Sequence, residues 1–215
     1  MSPPRLLIVN PNTNEAVAAW LEAEARRVAG GAFAIAAVCA PSDLAAIETP
    51  EDVLRAAVAV VSTLAAEPRL AGAVIGAFGD PGLDEARAAL PLPVVGLGEA
   101  GILAAAAKGR FAIVTLGAAM RAPIAERAAK LGVADRLADV AILPVTIAEM
   151  VADRGRHRTV IRDAIRNAPA PTVLMGGAPF AGLAAWLSAE TGTIVLDGVE
   201  ACIDALRGGR PDGAA

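Results

Sequence analysis

This 215-residue sequence predicts an α/β fold of two similar, doubly wound parallel-sheet lobes related by a pseudo-twofold axis, with a site in the cleft between them. Three observations lead there. Short apolar runs alternate with helical segments from end to end, pieces of the first half recur in order in the second, and small residues dominate the composition. Hydrophobic residues make up 55% but aromatics only 3%, with no Tyr, so Ala, Val, Leu and Ile must build the core from closely packed elements. The 21 Gly and 15 Pro are scattered singly, which argues against a linker-rich or disordered chain.

Taken in order, strands are expected at 6–9, 34–38, 73–75, 94–95, 111–114, 141–143, 172–175 and 193–196. Each is a short apolar run such as Leu6-Leu7-Ile8-Val9 or Phe111-Ala112-Ile113-Val114, continuous rather than alternating, as in strands buried on both faces. Ala/Arg/Glu-rich segments of helical spacing fill the intervals at 15–29, 51–66, 83–89, 100–107, 123–131, 146–152, 158–167 and 181–190, and a last helix covers 198–206. Parallel strands need such crossover helices, which gives the α/β class.

The internal repeat divides this series in two. Ile75-Gly76-Ala77-Phe78-Gly79-Asp80-Pro81-Gly82-Leu83 lies over Met175-Gly176-Gly177-Ala178-Pro179-Phe180-Ala181-Gly182-Leu183 at an offset of 100. Val95, Gly98, Glu99 and Ala100 match Val195, Gly198, Glu200 and Ala201 with one residue gained on the way, and the run from Arg5 to Asn10 matches that from Arg110 to Thr115. The repeat predicts one lobe from residues 1–104 with 197–215 and a second from 105–196.

Charge and cysteine content exclude several classes. With 19 basic and 23 acidic residues the net charge is −4, and the one basic run, Arg154, Arg156, His157, Arg158, Arg162 and Arg166, is interrupted by Asp153 and Asp163. It reads as a solvated helix face, and with so few aromatics to stack on, no nucleic-acid partner is expected. Met1–Arg5 leads straight into a strand without the pattern of a signal peptide, and no stretch of about 18 apolar residues is free of breaks. A cytoplasmic protein without membrane contact is the expectation. Cys39 and Cys202 are too few for a disulfide framework or a metal site and read as buried structural thiols.

In parallel sheets ligands bind beyond the carboxyl ends of the strands. Four loops meet this description: Asn10–Asn14, 115–118, 76–80 and 176–179, all rich in small residues whose backbone N–H groups suit a carboxylate or similar anion. Asn10 and Asn12 have no evident packing role, which favours a site over simple tight turns. Gly96-Leu97-Gly98-Glu99-Ala100-Gly101 satisfies a dinucleotide-binding pattern, but the next strand ends at Thr115-Leu116-Gly117-Ala118 without the acidic residue that would hold a ribose. The single histidine, His157, sits in the arginine-rich run, where a surface role fits better than a Ser/His/Asp triad.

The runs Leu6-Leu7-Ile8-Val9-Asn10-Pro11-Asn12-Thr13-Asn14, Gly76-Ala77-Phe78-Gly79-Asp80-Pro81-Gly82-Leu83, Pro93-Val94-Val95-Gly96-Leu97-Gly98-Glu99-Ala100 and Leu196-Asp197-Gly198-Val199 together resemble the hydantoin racemase branch of the aspartate/glutamate racemase superfamily. Ile47-Glu48-Thr49 with Asp52 fits as well. The resemblance implies two α/β lobes, a cofactor-independent site between them, and oligomer formation. Substrate contacts would come from Asn10, Ala77, Phe78, Gly79, Thr115, Gly177, Ala178 and Pro179.

The resemblance also implies two cysteines facing each other across the stereocentre, one removing the α-proton and the other returning a proton from the opposite side. Their positions are 77 and 177, where this sequence has Ala77 and Gly177. Neither residue can exchange a proton. Three functions fit such a site: an isomerase or racemase of amino-acid derivatives such as hydantoins that uses another proton carrier, with Asp80, Glu48 and Asp43 the nearby candidates; a cofactor-free lyase or decarboxylase of a small carboxylate that stabilises an enolate; and a non-catalytic carboxylate binder.

Overall fold

The computed structural model describes residues 2–47 and 49–208. In chain order the elements are β1 (Arg5–Asn10), α1 (Glu15–Ala29), β2 (Ala34–Cys39), α2 (Pro50–Ala66), β3 (Gly72–Ile75), α3 (Leu83–Ala89), β4 (Val94–Gly96), α4 (Leu97–Ala107), β5 (Phe111–Thr115), α5 (Arg121–Lys130), β6 (Leu137–Ile142), α6 (Ile147–Ala152), α7 (Arg158–Arg166), β7 (Thr172–Gly176), α8 (Ala184–Thr191), β8 (Ile194–Asp197) and α9 (Gly198–Gly208). They form two four-stranded sheets, ordered β2-β1-β3-β4 and β6-β5-β7-β8, with parallel pairing throughout.

Alternate residues of each strand feed opposite faces, as the pleat requires. In the first sheet Leu6, Ile8, Val74 and Val95 face α1 and α9, while Leu7, Val9, Ala73 and Ile75 face α2 and α3. In the second sheet Phe111, Ile113 and Leu174 face α4 and α5, and Val114, Val173 and Met175 face α6, α7 and α8. Helix starts follow local chemistry. The Asn14 side chain accepts from Val17 N–H to cap α1, and Thr49 with Asp52 makes a reciprocal capping box on α2, repeated by Thr146 and Glu149 on α6.

The strand ladders correct the fine alignment of the repeat. Ile75 pairs with Gly96 and Met175 with Asp197, so Val94 answers Val195, Gly96 answers Asp197, and Gly98 answers Val199. The extra residue therefore enters before β8, not between the counterparts of Gly98 and Glu99 as the sequence match suggests. β6 is also longer than its apolar core, because Asp139 interrupts the run without breaking an edge strand that is half-buried over most of its length.

The glycines of the apparent dinucleotide pattern lie within and just before α4, where they serve close packing. A Cβ at Gly98 would stand 2.1 Å from the Phe78 carbonyl oxygen, and one at Gly198 would stand 2.4 Å from the Leu97 carbonyl oxygen. Helices α4 and α9 thus start with their backbones against neighbouring backbone, which no larger residue permits. Gly98→Ala is expected to destabilise the protein by about 1–3 kcal/mol, whereas Gly79→Ala, with no atom within 4 Å of the added Cβ, should stay within about 0.5 kcal/mol. Urea midpoints of the two variants check this.

Candidate functional site

The carboxyl ends of β1, β3, β5 and β7 carry the candidate residues, because these strands hold the centre of each sheet. The loops after β3 and β7 have nearly the same burial sequence: a buried glycine (Gly76, Gly176), a half-buried small residue (Ala77, Gly177), a buried Phe78 or Ala178, a more open Gly79 or Pro179, then a buried Asp80 or Phe180. Each loop also reaches across to the other half. Phe78 packs with Ile102, Phe111 and Leu174 in the second sheet's core, while Ala178 packs with the first sheet's core against α1 and α9.

Positions 176 and 177 carry glycine for different reasons. A Cβ at Gly176 would lie 2.7 Å from Ile113 Cγ2 and 3.3 Å from Phe78 Cε1, so that position has no room. Gly177 has φ 161° and ψ 146°, an extended backbone open to any residue, and an added Cβ would meet nothing nearer than 3.5 Å. Neither the backbone nor the surroundings demand the missing side chain at 177.

Asn10 is fully buried, and its amide is largely committed: Nδ2 donates to Asn12 Oδ1 and to the Asn14 carbonyl, both at 2.9 Å, and lies 3.7 Å from Cys39 Sγ. Asn12 Oδ1 also accepts from Asn14 N–H at 2.9 Å. The asparagine run therefore does have a local role, shaping the turn that starts α1, which the sequence alone did not reveal. Asn10 Oδ1 is buried without a hydrogen-bond partner. Thr115, its counterpart in the second half, is also buried, and its hydroxyl donates to the Gly176 carbonyl. The Pro179 carbonyl accepts from Arg154 at 3.4 Å.

The acidic candidates separate. Asp80 is 3% exposed, and its carboxylate accepts from Gly98 N–H at 2.8 Å and Glu99 N–H at 2.7 Å, capping α4 rather than α3. It adopts φ 48°, a left-handed conformation that aspartate tolerates better than most residues. A Cβ at Gly96 would lie 2.4 Å from Asp80 Cγ, so the carboxyl fills the space that a side chain on β4 would take. In the second half Asp197, at the position equivalent to Gly96, caps α9 through Val199 N–H at 3.0 Å and Glu200 N–H at 3.1 Å, and accepts from Gly182 N–H at 3.1 Å. Asp43 is exposed and ion-paired with Arg55. Glu48 lies outside the described residues.

Cys202 is buried, with Sγ 3.5 Å from the Gly96 carbonyl, while Cys39 is only half-buried at the edge of the first sheet. Burial pushes both thiols up from their ordinary range. The arginine run is less solvated than its spacing suggests. Arg154 is half-buried, stacks 3.7 Å from the centroid of Trp20 on α1 and donates to the Ala181 carbonyl at 2.9 Å, so it ties the loop after β7 to the first half. Arg158 covers Trp186, and Arg166 donates to the Glu190 carbonyl. Spacing gave no sign of these partners. His157 lines a separate open cavity of about 490 Å³ with Val145, Glu149 and Arg156, which includes none of the candidate site residues. Among the described residues no group of three or more His, Cys, Asp or Glu could hold a metal ion, and no helix is long and apolar enough to cross a membrane.

Residues 6–206 match the family model described as Asp/Glu/Hydantoin racemase. This chain belongs to that family. Two hydantoin racemases, from Pseudomonas sp. (strain NS671) and Paenarthrobacter aurescens, are each 28% identical to it, over 92% of this chain and 82% and 87% of their own lengths. The solved allantoin racemase from Klebsiella pneumoniae is 29% identical and superposes with a TM-score of 0.89, covering 95% of this chain and 86% of that one. The two parallel sheets are the racemase family's two-lobe arrangement, and the family binds small carboxylate or hydantoin substrates.

One consequence of this family member's buried Asp80 is measurable. Burial raises its carboxyl from an ordinary 3.8 to about 7, against the opposing pull of the Gly98 and Glu99 amides and the more distant Arg127. A carboxyl that titrates higher in the folded than in the unfolded chain contributes stability that is fully present below about pH 4 and is lost as pH rises to about 7. Asp80→Asn removes that titration. The native chain's stability relative to this variant is therefore expected to fall between pH 4 and pH 7 and to stay level above it, as read from urea midpoints along a pH series.

Proposed function

We propose that this chain is a member of the racemase family without the facing thiol pair, whose cleft binds a small hydantoin-like or carboxylate ligand without exchanging its α-proton. The observation that carries this reading is the pair Ala77 and Gly177. They occupy equivalent half-buried positions on the loops after β3 and β7, where the family resemblance calls for the two thiols. Neither side chain can remove or return a proton, and inversion at a stereocentre needs both steps, from opposite faces.

The surrounding groups support binding over catalysis. Asp80 is committed to the start of α4, Asp43 is paired away on the surface, and both thiols are shifted towards their protonated forms. The hydrogen-bonding groups beside these positions, the unpartnered Asn10 Oδ1 and the Thr115 hydroxyl oxygen, are buried and become available to a ligand only when the two loops move aside. An acceptor such as Asn10 Oδ1 suits a ligand N–H, which a hydantoin ring carries.

Ligand binding and proton exchange are tested separately. Hydantoins and amino acids that raise the melting temperature are the expected ligands, and in heavy water the native chain should leave their α-protons unexchanged. In the double variant Ala77→Cys with Gly177→Cys, for which the open backbone at 177 leaves room, α-proton exchange is expected to rise by at least about 100-fold, in keeping with the usual worth of a placed acid–base group. Exchange by the native chain overturns the reading of binding without proton transfer. A folded double variant that neither binds nor exchanges these compounds overturns the hydantoin-like ligand.

A further inference from the structure

A second cavity, of about 170 Å³, lies between the loop after β3 and the face of α5, walled by residues from both halves. Its lining is divided by chemistry. Phe78, Ile102, Met120 and Ile124 give an apolar wall, and Arg127 and Lys130 stand with Glu126 along the rim, an excess of one positive charge. The space is well below the roughly 300 Å³ at which drug-sized sites begin, so it suits an occupant of a few carbons.

The cations on the rim are incompletely matched. Arg127 reaches Glu99 Oε2 only at 3.7 Å, and the same carboxylate is already held by Arg87 at 2.7 Å. Lys130 is exposed and has no ion-pair partner among the described residues. A recess with one apolar wall, a partly compensated arginine and a lysine without an ion-pair partner is complementary to an amphipathic anion: the hydrocarbon leaves water against that wall, while the charge stays where it is neutralised.

We propose that this cavity binds a short-chain monocarboxylate, with its hydrocarbon end against Phe78, Ile102, Met120 and Ile124 and its carboxylate on Arg127 and Lys130. The cavity adjoins the loop that carries Ala77, with Phe78 and Gly79 in its lining and the Phe78 ring 3.3 Å from where a Cβ at Gly176 would stand, so this inference extends the proposed binding of a small carboxylate to this end of the site. An occupant would brace Phe78, and through it the loop that carries Ala77.

The four methionines supply a local readout. The full chain labelled with ¹³C at the methionine methyls is titrated with sodium pentanoate at constant ionic strength. Met120 lines the cavity, whereas Met150 and Met175 are buried in the second sheet's other core, so a saturable shift confined to Met120 is expected, with a Kd on the order of 1 mM for so small a ligand. Pentan-1-ol, which lacks the charge, should bind about tenfold more weakly, and Lys130→Gln should weaken pentanoate severalfold. The double variant Arg127→Gln with Lys130→Gln should do so by at least about tenfold. Because Lys130 is exposed, its substitution tests the idea without risk to the Glu99 pair. Absence of a saturable Met120 shift, equal shifts at Met150 and Met175, equal binding of pentanol, or an unchanged Kd in the Lys130 variant would each overturn the proposal. A shift at Met175, next to Gly176, without one at Met120 would overturn this inference while leaving the proposed function standing.

Discussion

Two buried carboxylates hold the junction on which the rest of the molecule is arranged. Helices α4 and α9 begin beside one another at the centre of the protein, where their first N–H groups have no intrahelical acceptor. Asp80 and Asp197 satisfy them. A carboxylate also suits the partial positive charge at a helix start, which compensates part of the cost of its burial. The two halves reach this solution by different routes: in the first the acid comes from the loop after β3 and the strand end is Gly96, and in the second the acid is the strand end itself. The repeat preserves the position of the charge, not the residue that supplies it.

This junction also places the candidate cleft. Gly98 lets α4 start directly beneath the Phe78 carbonyl, and Asp80 pins the far end of the same loop, so Ala77 sits on a segment held from both sides. Its counterpart, Gly177, is held by Arg154 through the carbonyls of Pro179 and Ala181 and by the insertion of Ala178 into the opposite core. Side chains placed at 77 and 177 would therefore inherit fixed positions.

Much of this architecture was legible in the sequence because its signals are local. Continuous apolar runs marked the strands, and the repeat gave two halves. What escaped was information carried by distant partners. The asparagine run looked free for a ligand because nothing in its spacing shows that Asn12 binds Asn14 N–H and Asn10 Nδ2. Asp80 stood out as a candidate proton carrier rather than as the cap of α4, since α4 is remote in sequence from the loop that supplies the acid. Arg154 passed for one member of a solvated run because its Trp20 partner lies far back on α1. The exchange of Gly96 for Asp197 between the halves is visible only once the ladders align the two strands.

The reciprocal insertion of the two loops bears on how anything enters or leaves. Phe78 is rooted in the core of the second sheet and Ala178 in that of the first, so swinging the lobes apart would drag apolar side chains out of packed surroundings. A wide hinge motion is costly in such a design. The uncrowded stretches at Gly79 and Gly177 keep the local room to adjust that the lobes as whole bodies lack.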